Sequence, residues 1–207
     1  MLKEKYRNIL VKYLPPNTVD KAINLIFEFN ISLTITKGRN TKFGDYRPPQ
    51  NNRGHRITIN YNLNPYAFLI TLMHEIAHLK NWIKHKNKVK PHGEEWKLEF
   101  NLLMENYLED QTFPEDILKH LKKYFLNPKA SSSSDTSLMK ALMRHNNETL
   151  GTFIEEIPIE SLFVFRGNRI FKKGEQIRKR YRCIEIETQK IYLFNPLAIV
   201  EPIDTIH

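Results

Sequence analysis

His74, Glu75 and His78, set in "LITLMHEIAHLKNW" (residues 69–82), are the residues of this chain whose types and spacing best suit chemistry. On an α-helix, positions i and i+4 lie nearly above one another, one turn apart, so both imidazoles can approach one metal ion from the same side. Glu75 is turned by about 100° from His74. It is therefore placed to reach a metal-bound water, the position of a general base. Zinc lowers the pKa of such a water towards about 7, where a carboxylate can take its proton. The pentapeptide alone is weak evidence, because chance supplies it in roughly two chains per hundred of this His and Glu content. Its neighbours Leu72, Met73, Ile76, Ala77 and Leu79 fit a buried core helix with two satisfied histidines equally well.

A hydrolytic zinc site takes three protein ligands and leaves a fourth position open. His92, in "KPHGEEWKLEF", follows His78 after a loop long enough to turn the chain back, and Gly93 beside it permits close backbone approach. It is the preferred third ligand. His85, Glu95 and Glu99 are the rivals. His85 lies in a lysine-rich surface stretch, and Glu95 and Glu99 are expected to be exposed on a helix with an apolar face.

These residues need elements to hold them. Residues 3–14 carry Tyr6, Ile9, Leu10, Tyr13 and Leu14 at helical spacing, stopped by Pro15-Pro16. Thr18 opens a second helix with Ala22, Ile23, Leu25, Ile26 and Phe29 on one face. "ISLTIT" (31–36) and "HRITINYNL" (55–63) alternate as strands, the latter with Ile57 and Ile59 on one side. The stretch between them, "KGRNTKFGDYRPPQNNRG", is rich in turn residues and cations. Asn64-Pro65 begins the motif helix, which runs to about residue 84. Two further helices are expected, at about 93–109 and over "PEDILKHLKKYFL" with Pro114 in its first turn. "NPKASSSSDTS" (127–137) has the composition of a flexible linker, and short strands follow it. The expected class is α+β: a main domain over 1–127, a linker over 128–150 and a small basic β-rich module over 151–207.

At 207 residues, the chain is long enough for one sizeable core plus an appended module. Lys and Arg number 32 against 23 acidic residues, a formal charge of +9, which favours a polyanionic partner. No run approaches the roughly 20 apolar residues of a membrane span. "MLKEKYRNILVKYLPP" lacks the apolar stretch of a secretory signal. Cys183 is the only cysteine, which excludes an intramolecular disulfide and any Cys-rich zinc module. A cytoplasmic monomer without membrane contact is the expectation.

"HEIAH" followed by "HGEEW", and preceded by "TKFGDYRPPQNNRGHRITINYNLNP", resembles the SprT-like family, which includes the Spartan metalloproteases. The resemblance covers about residues 17–110, and the joint pattern is far more specific than HExxH alone. It implies a compact zincin-like peptidase domain, helices around a small sheet, with zinc held by His74, His78 and His92. Glu75 would then activate water for attack on a peptide carbonyl, and Trp96 would pack under the metal. Spartan-type members remove proteins crosslinked to DNA and are switched on by DNA. Many members end in a zinc ribbon with paired cysteines. The tail "FKKGEQIRKRYRCIEIETQKIYLF" resembles the hairpins of such a ribbon yet keeps only Cys183, so apolar strands must hold it.

Three basic clusters bear on a DNA partner. Residues 37–56 hold six Lys/Arg against Asp45 alone, residues 80–90 hold five lysines, and residues 166–182 hold eight Lys/Arg against Glu175. The third is interleaved with Phe165, Phe171 and Tyr181, so phosphate contacts and base stacking on single-stranded DNA are expected of it. Two other readings remain: a nucleic-acid-binding protein whose zinc site is only structural, and a zinc hydrolase with a non-peptide substrate.

Overall fold

The computed structural model describes residues 2–39, 41–108, 111–126, 128, 135–146 and 151–203. It is of the α+β class and divides into two compact units, Met1–Asn146 and Asn147–His207.

The first unit holds helices α1 (Leu2–Leu10), α2 (Val19–Glu28), α3 (Pro65–His85), α4 (Glu94–Leu108), α5 (Glu115–Phe125) and α6 (Thr136–Arg144). Strands β1 (Ser32–Thr36), β2 (Gly44–Arg47) and β3 (Arg56–Asn60) make a sheet in the order β1-β3-β2. β1 runs parallel to β3 and β2 antiparallel to it. Ile57 and Ile59 of the central strand are fully buried, as the alternation predicts. α1 ends sooner than its periodicity suggests. Its last carbonyl, of Leu10, accepts the amides of Tyr13 and Leu14, closing a turn ahead of Pro15-Pro16.

α3 is the axis of the unit. The Asn64 side chain caps it by accepting from the Ala67 amide at 2.9 Å, and Pro65 occupies its first turn. Phe68, Leu69, Leu72, Met73, Ile76, Ala77 and Leu79 are all essentially inaccessible, so this helix is apolar nearly all round and surrounded by other elements.

"GDYR", taken for part of a turn-rich stretch, is strand β2. The segment taken for a linker over 128–150 contains α6, which begins where the Asp135 carboxylate accepts from the Leu138 amide at 3.1 Å. Its Leu138, Ala141 and Leu142 are buried in the core shared with α3, α4 and α5. The rest of that expected linker lies largely outside the described residues.

The second unit is a six-stranded antiparallel sheet in the order β4-β9-β5-β6-β7-β8. Its strands are β4 (Thr152–Phe153), β5 (Leu162–Phe165), β6 (Arg169–Ile177), β7 (Arg180–Glu185), β8 (Ile191–Phe194) and β9 (Ile199–Pro202). β6 and β7 change register between Lys173 and Gln176, where a Cβ on Gly174 would run into the Arg182 carbonyl. Phe163, Phe171, Phe194, Ile154 and Val200 form its core, with Cys183 buried among them as a small apolar side chain. Phe171 is thus a core residue with no face for a nucleobase. Among the cations expected to meet phosphate, Lys173 is buried and donates to the Ile157 carbonyl at 2.6 Å, and Arg169 pairs with Glu185 at 2.5 Å.

No helix among the described residues is long and apolar enough to cross a membrane.

Candidate active site

His74 and His78 project from the same side of α3. His92 reaches them from the loop between α3 and α4, where it adopts a left-handed backbone at φ 60°. Few non-glycine residues take that conformation, so the surrounding contacts must hold it there. The Nε2 atoms of His78 and His92 each lie 3.2 Å from Nε2 of His74. One nitrogen from each ring falls within 4.8 Å of the others, so the three side chains could hold a metal ion. Trp96, in the first turn of α4 and wholly buried, backs all three rings at centroid distances of 4.6, 5.3 and 4.7 Å. Phe100 stacks behind it at 5.2 Å.

Burial lowers the pKa of all three imidazoles; neighbouring histidines add to the effect at His74 and His78, and His78 falls to about 3. The rings are therefore neutral at physiological pH, the state a metal requires.

Glu75 is 6% exposed. Burial pushes its carboxyl up to about 8 and the charge of Asp45 adds to this, while the Tyr46 amide, Lys42 and Arg39 pull it back. β2 passes extremely close: a Cβ on Gly44 would stand 2.5 Å from Glu75 Oε1 and 2.7 Å from Thr71 Cγ2. Only a residue without a side chain allows that approach.

β2 also forms the wall of the pocket, a cleft of about 350 Å³ lined by residues 41–46, Thr71, Glu75 and the three histidines. The loop entering β2 is pinned by the buried Asn60, whose amide donates to the Arg39 and Lys42 carbonyls at 3.0 and 2.9 Å. Arg39 in turn donates to Asn60 Oδ1 at 2.8 Å, and Asp45 accepts from Lys42 at 2.7 Å and Arg47 at 2.9 Å. Much of the 37–56 cluster therefore shapes this wall.

The rivals for the third position lie elsewhere. His85 ends α3, outside the converging set. Glu95 is half-buried on α4. Glu99, expected to be exposed, is 2% exposed and ion-paired with Lys80 and Lys84 of α3. A carboxylate can be buried there because two ammonium groups on the facing helix neutralise it.

The sequence alone assigns no role to Gly44 or Tyr46. The signal was present in "GDYR": if it is a strand, residues two apart face the same side. Tyr46 is half-buried in the pocket wall, and its hydroxyl lies 2.9 Å from Nδ1 of His55. His55 meets Trp82 of α3 edge-on at 5.5 Å.

A family model, described as the SprT-like family, matches residues 17–120. Comparison with curated proteins and with solved structures gave no match.

Proposed function

The chain belongs to the SprT-like family, and from that membership together with the site we propose that it is a zinc-dependent metallopeptidase of zincin type. The convergence of three neutral imidazoles with a buried carboxylate in one open cleft carries this reading.

His74, His78 and His92 would hold the metal. Their donor set supports zinc: nitrogens about 2.05 Å from a tetrahedral ion stand about 3.3 Å apart, close to the 3.2 Å found for two of the three pairs. Zinc bound with one open position supplies an acidified water and polarises a carbonyl. Glu75 takes the proton of the attacking water and returns it to the departing amine. Gly44 leaves room for this carboxylate, and the nearby Tyr46 amide favours its charged form. A dication beside Glu75 would draw its raised pKa down, so that the carboxylate serves as base at neutral pH.

The open cleft and the family support a polypeptide substrate, with protein bound or crosslinked to DNA as the specific case. Exposed Lys37, Arg53, Lys88, Lys90, Arg178, Lys179 and Arg182 support contact with single-stranded DNA. We place the protein in the cytoplasm as a monomer, its second unit a ribbon-like module with an aromatic core where relatives carry zinc.

The test is cleavage of a DNA-binding protein by the zinc-loaded enzyme, with and without single-stranded DNA. Glu75→Gln should retain one zinc and lose at least about 100-fold in rate. An unchanged rate removes Glu75 from the mechanism. Salt-sensitive DNA affinity without hydrolysis of any polypeptide would instead favour the second reading, a nucleic-acid-binding protein with a structural metal.

A further inference from the structure

We propose that Tyr46 is a catalytic hydrogen-bond donor to the scissile carbonyl oxygen, and that His55 is the positioning residue that leaves the phenolic proton free to act. This rests on the peptidase reading above.

Amide hydrolysis develops negative charge on the carbonyl oxygen. A preorganised donor aimed at that oxygen is among the largest contributions an active site can make. Four wall side chains besides the histidines and Glu75 carry a proton to offer, and three are otherwise engaged or exposed. Thr71 gives its hydroxyl proton to the Ala67 carbonyl at 2.7 Å. Lys42 is held by Asp45 at 2.7 Å, and Thr41 is exposed. Tyr46 remains.

Its placement fits. Gly44 and Tyr46 share one face of β2, and Gly44 lies against Glu75. The phenol therefore starts beside the base. It runs to His55, which contacts Trp82 on α3. Glu75, His78 and Trp82 follow at i, i+3 and i+7 on one face of that helix, and Tyr46 lines the same cleft as the three histidines.

A hydroxyl has a single proton. If Tyr46 donates it to His55 Nδ1, none is left for a substrate. If His55 carries its hydrogen on Nδ1, it donates to the phenolic oxygen, and the Tyr46 proton turns into the cleft. Burial and the charge of Lys86 both lower the pKa of His55, keeping it neutral so that this tautomer is accessible. In the reaction, the water oxygen bonds to the carbonyl carbon, and its proton goes to Glu75. The π pair moves onto oxygen, where the Tyr46 proton meets it as a hydrogen bond without transfer.

The experiment compares Tyr46→Phe, His55→Asn and His55→Asp in the zinc-loaded full chain. Three readouts apply: kcat and KM on a cleaved polypeptide, zinc content, and affinity for a phosphinic peptide whose anionic oxygen mimics the charged carbonyl. Tyr46→Phe should lower kcat about 100-fold with KM nearly unchanged and zinc retained, and should weaken phosphinate binding in parallel. In His55→Asn the amide N–H replaces Nδ1–H, so kcat should stay within about tenfold of wild type. His55→Asp, nearly the same size but an acceptor, should capture the phenolic proton and match Tyr46→Phe. Wild-type kcat and phosphinate affinity in Tyr46→Phe would overturn the proposal, as would equal behaviour of the two His55 variants. A wild-type protein that holds zinc but cleaves nothing would sink the peptidase reading itself, and this proposal with it.

Discussion

At Gly44 the absence of one methyl group keeps the base in place. An added Cβ would meet Glu75 Oε1 at 2.5 Å and Thr71 Cγ2 at 2.7 Å, and α3 beneath them is too tightly packed to retreat. Gly44→Ala should therefore displace the carboxylate and lower turnover by at least about tenfold, while the zinc binding proposed for His74, His78 and His92 stays unchanged. Loss of zinc together with activity would mean that β2 supports the histidines as well as the base. At this scale the sequence shows what lies on one helix or obeys one spacing. His74, Glu75 and His78 are legible because a helix fixes their relative positions, and His92 because a loop and Gly93 bring it back. Gly44, Tyr46 and His55 are not, because their meeting with α3 depends on the pairing of β2 with β3. No local pattern states that pairing.

Between elements, the packing of α4 on α3 explains why a glutamate is buried beside the site. Glu99 faces Lys80 and Lys84. Burial raises its carboxyl, but hydrogen bonds and charge from the two lysines outweigh that and leave it below the ordinary value of 4.5. A pKa lower in the folded than in the unfolded chain adds stability above pH 4.5. That contribution disappears as pH falls through the depressed value. The melting temperature of wild type should thus fall more steeply below pH 4.5 than that of Glu99→Gln. Parallel pH profiles would show that the ion pairs contribute nothing to stability. The sequence misplaces Glu99 because α3 is enclosed while α4 carries Leu98 and Leu102 on its exposed face, so neither has the clean polar face from which exposure is usually inferred. The same enclosure made the motif helix easy to recognise as a helix and hard to orient. β2 was missed for another reason: four residues ending before Pro48-Pro49 are too few to display an alternation amid turn-forming neighbours.

For the whole molecule, the boundary of the first unit is the point on which composition and packing differ most. Serine-rich "ASSSSDTS" suggests that the unit closes before residue 128, yet α6 starts at its end, at Thr136, and returns to the same core. Leu138 and Leu142 are buried at 0% and 1% exposure, and the Leu142 carbonyl accepts from the Asn64 side chain that also caps α3. His145 lies 3.0 Å from Asp116 of α5, a second tie between α6 and the preceding helices. The polar composition of the preceding segment hides this, because a nine-residue helix with three buried side chains is a faint signal. Burying a leucine contributes about 1.5–3 kcal/mol, so removing α6 should cost about 3 kcal/mol or more. A fragment ending at 146 keeps all the pocket-lining residues, and should bind one zinc and cleave polypeptide in a Glu75-dependent way. A fragment ending at 127 should melt at least about 10 °C lower, since each kcal/mol shifts a domain of this size by a few degrees. Equal melting temperatures would make α6 a peripheral appendage. Loss of cleavage in the 146-residue fragment with zinc retained would mean that the second unit contributes to substrate capture, and its exposed Arg178, Lys179 and Arg182 would be the first residues to replace.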